Sequence, residues 1–128
     1  TFLAPDSMID AIKNYCRQTR QQEPETIGEI SACVYNSLAS SYASTINELE
    51  ELTGKSYSRL HIVGGGCKDA YLNELTARYT GKQVYAGPVE ATALGNLLAQ
   101  MLKEGIFSSL EEARSAVAAS FDIRAVEV

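Results

Sequence analysis

Apolar and polar positions run along this chain with two distinct periods. From Ser7 to about Arg20, Met8, Ile9, Ile12, Tyr15 and Cys16 recur at three- and four-residue steps, the spacing of one helix face. Ser7 and Asp10 stand at capping-box spacing at its start. A polar linker, Gln21-Gln22-Glu23-Pro24, follows. Thr26 and Glu29 then form a better capping box and open a long amphipathic helix on Ile27, Ile30, Val34, Leu38, Tyr42, Ile46, Leu49 and Leu52, with Gly54 placed to end it as a left-handed cap. These two helices are expected to fold as an antiparallel hairpin around Pro24. Cys16 lies eight positions before that proline and Cys33 nine after it, so the two thiols are expected to face each other as reduced core residues.

Beyond Gly54 the period shortens. Arg59 to Val63 reads as a short buried strand, and Gln83 to Ala86 as a second one. Between them, Asp69 to Thr80 has helical spacing with Leu72, Leu75 and Tyr79 inward and Gly81 as its stop. Gly87-Pro88 turns the chain into a helix over Val89 to Lys103, stopped by Gly105; Ser109 and Glu112 cap a last helix reaching about Ser120. The tail, Phe121 to Val128, has no clear period. The predicted order is α, α, β, α, β, α, α, an α/β unit whose strand–helix–strand part implies parallel pairing with a right-handed crossover. Two strands leave unpaired edges, so further strands are expected upstream in a longer parent protein, as the first residue, Thr1, also indicates.

Composition narrows the function classes. At 45% hydrophobic the chain carries enough apolar surface for a core. The formal charge is −5 and the 11 Lys and Arg residues are scattered, so no basic stripe exists for nucleic acid. No apolar run approaches the length of a membrane span and no signal peptide is seen, so a cytoplasmic, membrane-free protein is expected. Three cysteines without a Cys-x-x-Cys pair and a single His give neither a disulfide framework nor a zinc ligand set.

One stretch carries chemistry. Leu60-His61-Ile62-Val63 runs into Gly64-Gly65-Gly66, and a helix follows. Consecutive residues without Cβ let a ligand touch the main chain, and a helix N-terminus favours negative charge. A glycine turn that merely lets strand and helix pack closely is the alternative. A dinucleotide fingerprint fails, because position 69 is Asp rather than Gly and no acid ends the second strand; a Walker loop fails for want of Gly-Lys-Ser/Thr. Ala91, Ala93 and Gly95 point to a helix packed close to a neighbour. Glu90 is read as a first-turn carboxylate favouring the helix dipole, and His61 as a satisfied structural histidine. No nucleophile–base or carboxylate pair stands out, so no catalytic and no metal-binding residue is assigned.

The stretch His61-Ile62-Val63-Gly64-Gly65-Gly66-Cys67-Lys68-Asp69-Ala70-Tyr71-Leu72-Asn73 closely resembles the adenosine motif of the FGGY carbohydrate kinases. Gly87-Pro88-Val89-Glu90-Ala91-Thr92-Ala93-Leu94-Gly95-Asn96 is similar to the segment that follows it in the rhamnulokinase branch, as are Phe2 to Met8, Tyr15-Cys16-Arg17, Ser37-Leu38-Ala39 and Tyr42. The resemblance implies an actin-like ATPase fold, two ribonuclease H-like domains around a cleft. Residues 1–128 would be the C-terminal portion of the second, nucleotide-binding domain, a helical hairpin followed by βαβα, without the first domain and the start of the second. It also implies the reaction: ATP and L-rhamnulose, with Mg²⁺, give ADP and L-rhamnulose 1-phosphate. Gly64, Gly65 and Gly66 would lie against adenine and ribose. At position 69 the family usually has Asn, whose amide both accepts and donates; Asp69 can accept but not donate, so it either holds adenine more weakly or caps the following helix. The base Asp and the first phosphate loop would precede Thr1, so this chain alone is expected to be inactive. Kinases of L-fuculose, D-xylulose, gluconate or glycerol, a non-catalytic module of the same fold, and a small Rossmann-type binder are the competing readings.

Overall fold

Helix starts fall where the capping side chains stand. Ser7 Oγ accepts the Asp10 N–H at 3.2 Å and opens α1 (Met8–Gln18). Thr26 Oγ1 accepts from Glu29 N–H at 3.2 Å while Glu29 Oε2 accepts from Thr26 N–H at 2.9 Å, so both halves of the capping box open α2 (Ile27–Thr53). Ser109 Oγ accepts from Glu112 N–H at 3.1 Å at the head of a late helix, Leu110–Ser120. Left-handed glycines end two helices: Gly54 (φ 63°) closes α2, and Gly81 (φ 64°) closes α3 (Ala70–Thr80).

The computed structural model describes residues 2–127. Between these helices run β1 (Arg59–Ile62), a 3₁₀ turn over Gly65–Lys68, β2 (Gln83–Ala86), α4 (Ala91–Lys103) and, after Leu110–Ser120 (α5), a two-residue strand β3 (Arg124–Ala125). The pair β1–β2 is parallel, with Leu60 opposite Val84 and Ile62 opposite Ala86, joined through α3 as predicted. The tail supplies what the sequence pattern did not: β3 pairs antiparallel with β2, Tyr85 opposite Ala125, giving the sheet order β1-β2-β3. Among the described residues the outer edge of β1 has no partner strand.

The core is small and sits between the sheet, α3 and α2. Val84, Thr76 and Ala39 are fully buried, and Leu75, Ala77 and Cys67 are buried as well. The two expected thiols do face each other: Cys16 Sγ and Cys33 Sγ stand 3.8 Å apart, both free. Burial and the neighbouring Cys33 thiol push the Cys16 thiol up, which keeps it protonated.

Several expected interior positions lie at the surface. β1 alternates rather than being buried: Arg59 and His61 are exposed, Leu60 and Ile62 half-buried. His61 is therefore not an interior histidine; its ring stacks on that of Tyr85, its register partner, at 5.1 Å on the open sheet face. Tyr79 is exposed too, and its hydroxyl donates to Asn36 Oδ1 at 2.8 Å across to α2. No residue of α4 is buried, and a Cβ built on Gly95 meets nothing within 4 Å, so the close neighbour expected from Ala91, Ala93 and Gly95 is not among the described residues. Glu90 precedes α4 as its N-cap, without a side-chain capping bond, rather than sitting in its first turn.

A half-buried ion pair ties α2 to the entry of β2. Lys82 Nζ lies 2.6 Å from Glu50 Oε1, with side chains 14% and 22% exposed. Glu50 also accepts from the Tyr57 N–H at 2.7 Å. Lys82 first, then that N–H, hold the Glu50 carboxyl below its ordinary 4.5. A depressed folded value means that this contribution is complete above 4.5 and is lost as pH falls through the lowered value. Chemical unfolding of wild type and Lys82→Met should therefore differ at pH 7 and converge in the acid range below 4.5. A constant difference at every pH would assign the lysine's effect to its methylenes instead.

Candidate functional site

The glycine turn is built at the carboxyl end of the parallel strands, where α/β sheets place ligands. Gly64 takes φ 78° and ψ −168°, a region open in practice only to glycine, and so starts the 3₁₀ turn sharply at the end of β1. The turn is pinned on both sides. Gly64 N–H donates to Pro88 O at 3.3 Å and Gly87 N–H to Ile62 O at 2.8 Å, which joins it to the segment leaving β2. Cys67 N–H donates back to Gly64 O at 3.2 Å, and Asp69 N–H to Gly66 O at 3.1 Å.

Gly65 and Gly66 are exposed, their φ values lie outside the left-handed region, and an added Cβ would meet nothing within 4 Å at either one. The packing explanation for the glycine run therefore fails at these two positions: neither α3 nor the strands need a missing Cβ there. Gly87 is the contrast. At φ 109° its Cβ would stand 2.5 Å from the Asp122 backbone oxygen, so this glycine is demanded by the tail that crosses it.

Asp69 joins the turn to α3. Its Oδ1 accepts the Leu72 N–H at 3.0 Å, the N-cap geometry expected from its position. Its Oδ2 accepts the Tyr35 hydroxyl at 2.6 Å, across from α2. Tyr35 first, then the Leu72 N–H, hold the Asp69 carboxyl below its ordinary range, and the carboxylate in turn pushes the Tyr35 phenol up. Tyr35 was not singled out from the sequence; a partner 34 positions away leaves no local trace.

Asn73 is the second residue that sequence reasoning passed over. It is 3% exposed, and its Nδ2 donates to Cys67 O at 2.8 Å, bracing the turn from beneath. Its Oδ1 has no partner among the described residues. A polar residue one helical turn after Asp69, between the inward Leu72 and Leu75, is the signal that marks it. Beside the turn opens a cavity of about 570 Å³ whose lining includes Cys67, Lys68, Asn73, Gly87 and Arg124. Among the described residues no group of three or more His, Cys, Asp or Glu side chains is placed to hold a metal ion, so no residue here is assigned to Mg²⁺.

Residues 1–104 match the FGGY family of carbohydrate kinases, C-terminal domain. The chain belongs to the FGGY family of carbohydrate kinases. Among relatives of this FGGY chain, the rhamnulokinase of Bacillus subtilis strain 168 is 51% identical over 123 residues, which are 96% of this chain and 25% of that protein. Rhamnulokinases of Halalkalibacterium halodurans and Oceanobacillus iheyensis are 46% and 43% identical, over 96% and 95% of this chain and 26% of each relative. The chain thus spans about a quarter of the length of the curated relatives it matches. The mixed α/β architecture fits that family's C-terminal domain. No helix among the described residues is long and apolar enough to cross a membrane.

Proposed function

We propose that this chain supplies the adenosine contacts of an ATP-dependent sugar kinase that phosphorylates L-rhamnulose at its 1-hydroxyl. The observation that carries the reading is the open space in front of Gly65 and Gly66. Two glycines that the fold itself does not require, at the carboxyl end of a parallel sheet, are what a planar base laid on the main chain requires. Family membership supplies the reaction class, and the names of the relatives supply the sugar.

In this reading the chain is the C-terminal portion of the second, ribonuclease H-like domain of an actin-like kinase, working in the cytoplasm. Adenine and ribose lie on Gly64, Gly65 and Gly66, with Asp69 behind them. Phosphoryl transfer needs a positioned base and phosphate donors, which with the sugar site and the Mg²⁺ carried by the nucleotide lie outside this chain. The chain alone therefore transfers no phosphoryl group; turnover of L-rhamnulose by the 128-residue chain would sink this division of labour.

The direct test is an ADP titration followed by backbone amide NMR, with UDP as the control ligand. Selective saturable shifts at Gly64, Gly65, Gly66 and Asp69 are expected with ADP and not with UDP, which lacks adenine. ADP binding that moves other amides and spares the turn would overturn the placement of the site.

A further inference from the structure

We propose that Tyr35 of α2 is a positioning residue for the nucleotide turn, acting through Asp69; this deepens the reading of Gly64 to Gly66 as the adenosine contact and rests on it. The geometry makes a continuous chain of bonds. The Tyr35 hydroxyl donates to Asp69 Oδ2 at 2.6 Å, which fixes the carboxylate plane so that Oδ1 reaches the Leu72 N–H at 3.0 Å. The main-chain N–H of the same Asp69 donates to Gly66 O at 3.1 Å, so the orientation of Asp69 is passed directly to the third glycine. The Tyr35 ring also meets Tyr71, in the first turn of α3, edge-on at 5.3 Å. Tyr35 thereby grips both the residue that ends the turn and the helix that follows it.

The bond is not needed to dock α2 on α3. That packing has its own ties, Tyr79 to Asn36 at 2.8 Å and, beside it, Lys82 to Glu50 at 2.6 Å. Without the phenol, Asp69 keeps one strong partner instead of two, and its side chain can turn about that partner while the helices stay packed. What is lost is the fixed height and tilt of Gly66 against a flat ligand, where misplacements well below one ångström cost binding.

The test uses the whole 128-residue chain and compares ADP dissociation constants, each with an unfolding midpoint, across wild type and the variants that follow. Tyr35→Phe keeps the ring and its contact with Tyr71 and should weaken ADP binding about tenfold, the effect of losing one charge-assisted bond. Lys82→Met, which loosens α2 away from the turn, should change ADP affinity less than about twofold while lowering the unfolding midpoint at least as much. Asp69→Ser keeps a capping oxygen and leaves the phenol nothing to hold, so adding Tyr35→Phe to it should have no further effect on ADP affinity. Unchanged affinity in Tyr35→Phe, a loss matched by Lys82→Met, or a full tenfold loss in the Asp69→Ser background would each overturn the role of Tyr35. If wild type itself fails to bind ADP, the adenosine reading of the turn falls and Tyr35's role falls with it, an outcome distinct from the other three.

Discussion

Replacing Gly87 by alanine is expected to destabilise the fold by about 3 kcal/mol, the largest effect of any glycine-to-alanine change in this chain. Two costs combine. At φ 109° an L-residue sits in a region it rarely adopts. The new Cβ would also stand 2.5 Å from the backbone oxygen of Asp122 and 3.6 Å from the Ile123 Cα, so it meets main chain rather than a flexible side chain that could swing away. The tail must move, and with it the antiparallel pairing of Ala86 with Arg124 and the bond from Val126 N–H to Val84 O at 2.9 Å. Gly105→Ala separates the two costs, because Gly105 has φ 73° but an added Cβ meets nothing within 4 Å. Urea unfolding should place Gly105→Ala about 1 kcal/mol below wild type and Gly87→Ala well below that. Equal losses would mean that the close approach of the tail contributes nothing, and that β3 is not held where it stands.

What the sequence made legible follows from the range of each interaction. The starts of α1, α2 and α5 were readable because a cap acts over three residues: Ser7 with Asp10, Thr26 with Glu29, Ser109 with Glu112. The parallel pair was readable because one helix between two short apolar runs leaves little choice. Faces were legible, but what covers them was not. The stripe along α2 from Ile27 to Leu52 has helical spacing, yet those two residues are 81% and 84% exposed. Periodicity says which residues share a face and nothing about whether anything packs on it. β3 escaped because two residues, Arg124 and Ala125, carry no period at all; only their pairing with Ala86 and Tyr85 makes them a strand. At the site, the glycines announced themselves and the cap at Asp69 followed from its position. The Tyr35 and Asn73 contacts that hold the turn join residues through space or from a helix interior, where composition is silent.

Alanine at Gly65 or Gly66 should do the reverse of alanine at Gly87: leave the fold intact and damage binding. Neither position has a positive φ, and neither would bring its Cβ within 4 Å of another group. Under those conditions a Gly→Ala change restricts the unfolded chain without straining the folded one, and stabilises by roughly 0.4–1 kcal/mol. In the proposed site, a nucleotide lying on the turn would occupy the space into which that methyl projects. Forcing one methyl into a filled contact costs about 1–3 kcal/mol, so ADP affinity should fall about tenfold or more for each substitution. Gly64→Ala serves as the internal comparison, since φ 78° with ψ −168° makes it lose stability and binding together. The opposed signs are what give the experiment its force. A merely structural turn predicts that stability and affinity move together at all three glycines. A ligand-contacting turn predicts that they part at Gly65 and Gly66 and join only at Gly64. Wild-type ADP affinity in a Gly65→Ala/Gly66→Ala chain would remove the adenosine from this turn and leave the two glycines without a purpose that the fold can supply.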